Sequence, residues 1–170
     1  RKPLACVGPP GGTAGPLAAR AWRLIREEGR PGPLQMALDE VAAETAASGG
    51  PRTVRVYRFD PPTLSLGYGQ APETIDWAAC DRLGIDATRR STGGGAIYHD
   101  PAGDVSHSLV APADELPGDL HDSYRLLLTT LLEALDALGV DAGLADDDRP
   151  ALHEPACYLR ARSPAHDVVG

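Results

Sequence analysis

Arg89 to Asp104 reads RRSTGGGAIYHDPAGD, and this stretch gathers residue types that can do chemistry together. Gly93, Gly94 and Gly95 remove every Cβ from one segment, which opens positive φ and lets a ligand lie directly on main-chain amides. Arg89 and Arg90 stand just before them with fixed positive charge able to fork onto a phosphate or a carboxylate. Ile97 and Tyr98 are β-prone, and His99 adds an imidazole that gains or loses a proton near neutral pH. Cations, a glycine bed and a titratable ring at this spacing point to a site for an anionic or carbonyl-bearing ligand. The competing reading is a glycine-rich hairpin turn between surface arginines.

A second stretch, HEPACYLRARSPAHDVV, sets Cys157 between His153 and His166. On its residues alone Cys157 reads first as a buried, inert thiol, and a nucleophilic thiol is the competing reading. His107 reads as a core histidine, Cys80 as a small buried residue, and Asp146–Asp147–Asp148 as a solvated acidic turn rather than a metal site, because nothing nearby completes an oxygen shell. No metal is expected.

The elements that must hold these groups follow from pattern. The 170 residues suggest one domain with a substantial core. Residues 1–20, rich in Gly, Pro and Ala, read as a flexible leader, and 21–170 as the folded domain. Ala21–Arg26 alternates like a strand and Arg30–Pro33 reads as a turn. Leu34–Ala47 reads as a helix with an inward stripe of Leu34, Met36, Ala37, Leu38, Val41 and Thr45. Thr53–Phe59 alternates as a strand centred on Val54, Val56 and Tyr57, and Thr63–Tyr68 is expected as its antiparallel partner. Glu73–Leu83 reads as a helix with Ile75, Trp77 and Cys80 inward. Ile85–Arg90 enters the glycine loop, and Val105–Val110 leaves it. Leu120–Leu138 is the longest helix, its leucines Leu127, Leu128, Leu131, Leu135 and Leu138 facing the sheet and Gly139 ending it. Val140–Leu144 and the segment from Asp167 close the list of strands. Strand pairs alternating with helices give an α/β (α+β) fold, a mixed and largely antiparallel sheet with packed helices.

Composition limits the partners. The net charge is −8, and Lys2 is the one lysine among sixteen basic residues. Such a surface argues against nucleic-acid and membrane binding, which need a basic footprint. Three cysteines, Cys6, Cys80 and Cys157, with no metal-like spacing fit a reducing, cytoplasmic setting. No apolar run is long enough to span a bilayer.

RRSTGGGAIYHD, then a small residue–Gly–Asp step and a strand, resembles the signature of the lipoate–protein ligase and octanoyltransferase family, which shares its fold with biotin–protein ligases. PLQMALDEVAAE resembles that family's early helix, and TLSLGYGQ its strand before the signature; the likeness runs from about Trp22 to the end. It implies a biotin/lipoate protein ligase-like catalytic domain and two rival chemistries. In the ligases, ATP with Mg activates lipoate to an acyl-adenylate that passes to a lysine of a lipoyl domain. In the cysteine-dependent octanoyltransferases, octanoyl moves from acyl carrier protein to a thiol and then to that lysine, with no cofactor. PACYLR resembles the segment that carries the transferase cysteine, so Cys157 is the implied nucleophile. The resemblance makes Arg90, Gly93, Gly94, Gly95, Ala96, Ile97, Tyr98 and His99 substrate-binding residues. Under the ligase chemistry Gly95–Tyr98 line the adenylate and Arg90 meets its phosphate. Under the transferase chemistry the same amides form an oxyanion hole, with His99 orienting the loop or moving a proton.

The implied partners are acyl carrier protein and lipoyl domains of 2-oxoacid dehydrogenases or the glycine cleavage H protein. The family also has a lysine in a lysine–small–Gly context soon after the strand that begins here at Asp167. That lysine is expected just beyond Gly170, the chain being a truncated piece. The leading expectation is octanoyl or lipoyl transfer through a Cys157 thioester. The rivals are ATP-dependent ligation and a noncatalytic or split subunit that binds lipoyl domains.

Overall fold

The computed structural model describes residues 21–116, 119–144 and 168–169. In chain order the elements are β1 (Trp22–Arg30), α1 (Gly32–Ala47), β2 (Arg52–Phe59), β3 (Thr63–Leu66), α2 (Trp77–Leu83), β4 (Asp86–Arg89), β5 (Ile97–His99), β6 (Ser106–Val110), α3 (Leu120–Ala137), β7 (Gly143–Leu144) and β8 (Val168–Val169). Single 3-10 turns lie at Pro72–Thr74 and Ala113–Glu115.

Two mixed three-stranded sheets result. The first has the order β1-β2-β6, the second β4-β3-β5, and β7 pairs with β8. β1–α1–β2 and β3–α2–β4 are both parallel strand–helix–strand units, because parallel neighbours require a crossover long enough to carry a helix. β6 and β5 then pair antiparallel with β2 and β3. α1 packs on strands of both sheets, which makes it the joint between them.

The expected partnership of Thr53–Phe59 with Thr63–Tyr68 is therefore not formed. β1 and β6 occupy both flanks of β2, and Asp60–Pro62 passes the chain to the second sheet. The first strand also runs on to Arg30, the first residue of the expected turn, and the helix begins within that turn at Gly32 with Pro33 in its first turn, where proline forfeits no bond.

The faces of α1 and β2 differ from the apolar stripes in the sequence. Leu34 and Val41 are exposed, while Gly32, Gln35, Ala42 and Ala46 are buried. On β2 the buried set is Thr53, Arg55, Tyr57 and Phe59, with Val54 and Val56 half-buried. One side chain explains both shifts. Arg55, 1% exposed, bonds Glu27 of β1 (2.6 Å), the Gln35 side chain (2.6 Å) and Asp39 of α1. A buried guanidinium needs anions and acceptors around it, so polar residues of α1 turn inward and small ones let the helix approach the sheet. Asp39 also accepts from Tyr57 Oη (2.9 Å) and Ser108 Oγ (2.5 Å), which ties α1 to β2 and β6.

Three smaller expectations change. The helix expected over 73–83 is a 3-10 turn and a separate α2, started by the Asp76 side chain accepting from Ala79 N–H (2.9 Å); Trp77 is exposed and Cys80 buried. His107 is exposed on the outer face of β6, because Ser108 takes the face toward α1. The α3 leucines Leu127, Leu128, Leu131 and Leu135 are half-buried, but Leu138 lies past the last helical turn and is 78% exposed. The leader, Asp146–Asp148, His153, Cys157 and His166 lie outside the described residues. Among the described residues no helix is long and apolar enough to cross a membrane.

Candidate functional site

The site grows from the ends of β3 and β4. Their pairing continues past the strands: Arg90 N–H donates to Leu66 O (3.0 Å) and Tyr68 N–H to Thr92 O (2.8 Å). GYGQ and STGGG therefore lie side by side. Contact is closest at Gly67, where a Cβ would stand 1.9 Å from Gly94 O, so position 67 admits glycine alone. Gly94 itself holds φ at +94°, a region that side chains rarely adopt.

Both arginines are built into this loop pair. Arg89 Nη1 converges on the carbonyls of Gly67 (2.7 Å), Tyr68 (3.0 Å) and Gln70 (2.8 Å). Arg90 Nη1 donates to Ser65 O (2.8 Å) and Oγ (3.2 Å), and Nη2 to the carbonyls of Gly93 (2.9 Å) and Gly95 (2.7 Å). These guanidiniums brace main chain.

The bracing decides which way the glycine amides face. A planar trans peptide sets N–H opposite the preceding C=O. The Gly93 carbonyl is held by Arg90 and the Gly94 carbonyl points at Gly67. The N–H groups of Gly94 and Gly95 therefore face the other side of the loop. Neither has an acceptor among the described residues. Adjacent amides without a protein acceptor among the described residues present positive partial charge, which suits a phosphate oxygen or a carbonyl oxygen gaining charge.

The remaining expected site residues surround this loop. Ala96 is 1% exposed, so its methyl faces the core; Ile97 is half-buried and Tyr98 exposed on β5. His99 is buried and turned away from solvent, stacked on Phe59 with centroids 3.9 Å apart. Its Nε2 lies 2.9 Å from Ser65 Oγ and its Nδ1 2.6 Å from Asp104 Oδ2. The structure brings Arg90, the glycines and His99 together. Cys157, His153 and His166 lie outside the described residues.

Ser65 and Gly67 also belong to this site, beyond the residues expected from the sequence. A serine on a strand carries no periodic signal. Gly67 was legible only as one glycine of GYG, because its need depends on a loop many residues away. Among the described residues no cluster of His, Cys, Asp or Glu has a metal-holding arrangement.

Comparison with known proteins bears on the family of the chain. The octanoyltransferase LipM of Kyrpidia tusciae is 37% identical over 158 residues, covering 88% of this chain and 57% of that one. The octanoyltransferase LipM of Symbiobacterium thermophilum is 38% identical over 157 residues, with the same coverages of 88% and 57%. The chain thus spans little more than half the length of these relatives. Among solved structures, protein Ta0514 from T. acidophilum with bound lipoic acid superposes with a TM-score of 0.69 at 29% identity, over 81% of this chain and 56% of that one. A lipoate-protein ligase A bound with ATP superposes at 0.67 and 31% identity, over 81% and 55%. The lipoyl protein ligase A/B catalytic domain matches residues 31–168, nearly the whole described fold, and the chain belongs to that family.

Proposed function

We propose that this chain supplies the acyl-binding half of an octanoyltransferase, moving an octanoyl or lipoyl group from acyl carrier protein to a lysine of a lipoyl domain through a thioester on Cys157. The observation that carries this reading is the pair of outward amides at Gly94 and Gly95, held by the Arg90 brace. Amides in this attitude suit an acyl carbonyl whose oxygen gains charge as a nucleophile adds. The similarity to octanoyltransferases LipM supports the choice of chemistry.

The steps balance without a cofactor. The Cys157 thiolate adds to the thioester carbonyl, and the oxyanion rests on the glycine amides. Its collapse expels the carrier thiolate, which takes up a proton, and leaves S-acyl-Cys157. The substrate lysine amine then adds to the same carbonyl and gives up a proton, the Cys157 thiolate leaves and takes up that proton, and an amide remains. Acyl carrier protein and lipoyl domains are the partners this route needs, in the cytoplasm where both substrates would meet.

A second reading is ATP-dependent ligation, favoured by the likeness to a ligase solved with ATP. The outward amides fit the phosphate of an acyl-adenylate. The Nη groups of Arg90 fit it poorly, since both already bond protein oxygens. One experiment separates the readings: incubate the full-length polypeptide with octanoyl-acyl carrier protein and no ATP, and weigh the intact protein. An acyl adduct absent from Cys157→Ala is the expected outcome. An absolute need for ATP, with adduct formation unchanged in Cys157→Ala, would favour the ligase.

A further inference from the structure

Behind the glycine loop lies a chain of polar groups that the proposed chemistry leaves unassigned. Asp104 Oδ2 lies 2.6 Å from His99 Nδ1, and His99 Nε2 lies 2.9 Å from Ser65 Oγ. Ser65 Oγ accepts from Arg90 Nη1 at 3.2 Å, and Arg90 Nη2 grips the Gly93 and Gly95 carbonyls. The order Asp–His–Ser resembles a hydrolytic triad, but Ser65 is 1% exposed and its oxygen faces a guanidinium. A substrate cannot reach it.

Hydrogen counting fixes the direction of the chain. Arg90 only donates, so Ser65 Oγ accepts from it. The carboxylate of Asp104 only accepts, so His99 carries its proton on Nδ1 and Nε2 is the acceptor. The Ser65 hydroxyl then donates to Nε2, and every buried group is satisfied. In the opposite tautomer Nε2–H would point at Ser65, and the serine hydrogen would lose its acceptor in a buried place, an arrangement that proteins avoid. Stacking on Phe59 holds the imidazole plane, so the ring cannot swing to repair the mismatch.

We propose that Asp104, His99 and Ser65 are positioning residues that set the Arg90 fork and, through it, the outward amides of Gly94 and Gly95. This rests on the reading of those amides as the acyl-carbonyl site. The relay acts on the bound oxyanion without touching it, so it affects the chemical step more than substrate affinity.

The test uses Ser65→Ala, Asp104→Asn and their double variant in the full-length polypeptide. Asp104→Asn presents an N–H₂ or a neutral oxygen to Nδ1 in place of the carboxylate, and so frees the tautomer at a partly exposed position. Each single variant is expected to lower kcat for acyl transfer by roughly 10- to 100-fold with KM little changed, as loss of supporting hydrogen bonds does elsewhere. The double variant is expected to be no more than about twofold worse than the poorer single one, since both break one chain. Multiplied losses, or wild-type kcat in folded variants, would overturn the proposal. A second measurement stands apart from turnover: with ¹⁵N-glycine labelling, the amide resonances of Gly94 and Gly95 are expected to move in both single variants. Unmoved resonances sink the relay even where transfer proceeds, and moved resonances uphold it even where the wild-type protein proves not to transfer octanoyl.

Discussion

Arg55 shows how far one side chain can govern its neighbours. Its Nε and both Nη groups bond Glu27, Asp39 and Gln35, and its guanidinium carbon lies 4.5 Å from the Tyr57 ring centroid. Burial works against its charge, yet the hydrogen bonds and charges of Glu27 and Asp39 prevail and hold its pKa above the ordinary value. Arg55→Ala would take the buried cationic partner from Asp39 and Glu27, leaving Glu27 only the half-exposed Arg30 at 3.5 Å, and an expected loss of about 3–5 kcal/mol follows. Urea unfolding at pH 7 checks this, and adding Glu27→Gln with Asp39→Asn should recover much of the loss.

Tyr57 gives a pH signature of the same cluster. Burial first, and Asp39 second, push its hydroxyl pKa above the ordinary 10.0. The unfolded chain therefore releases this proton at lower pH than the folded one. The Tyr57 contribution is constant below about pH 10, and stability falls as pH rises past that value. Unfolding midpoints measured from pH 8 to 11 should show the fall, and Tyr57→Phe should flatten it.

At the scale of elements, the glycine loop depends on two strands staying in register. Ser65 pairs with Thr88 across β3–β4 and with Ile97 across β3–β5, so β3 is the rail on which the site is laid. Gly67→Ala would drive a methyl into the Gly94 carbonyl and part the two loops. The expected outcome is loss of most acyl transfer, at least roughly 100-fold, with circular dichroism little changed because the clash lies outside the strands.

This is also the scale at which the sequence was hardest to read. Gly93–Gly95 and the flanking strands were legible, because glycine clusters and two-residue alternation are local signals. The inward faces of α1 and β2 were not. Leu34 and Val41 look like core, yet Gln35 and Asp39 are drawn inward by a charge on another element. The partners of β2 were equally hidden, since β1 and β6 lie far from it along the chain and an adjacent strand was the simpler guess. Ser65 had no signal at all, because its role exists only once His99 and Arg90 stand beside it.

For the whole molecule, two sheets of different duty meet at α1. The first sheet carries the buried charge cluster, and the second carries the loop. Phe59, the last residue of β2, stacks on His99 of β5, so the stable half touches the half proposed to act. Acyl transfer should therefore fail at lower denaturant than global unfolding only if that contact opens first; parallel titrations of activity and far-UV signal will tell.

The bonds that hold Arg90 have a further bearing, on ionic strength. Its Nη groups are occupied by hydrogen bonds to the chain's own carbonyls, within a half-buried setting, where mobile ions screen little. The loop's attraction for an oxygen comes from oriented main-chain dipoles at short range, and these do not relax when salt is added. On the proposed route, octanoylation of the protein itself should then proceed at nearly the same maximal rate from dilute buffer to strong brine. Under the proposed transfer, whatever salt does weaken is the encounter with the carrier, at another surface of this acidic polypeptide.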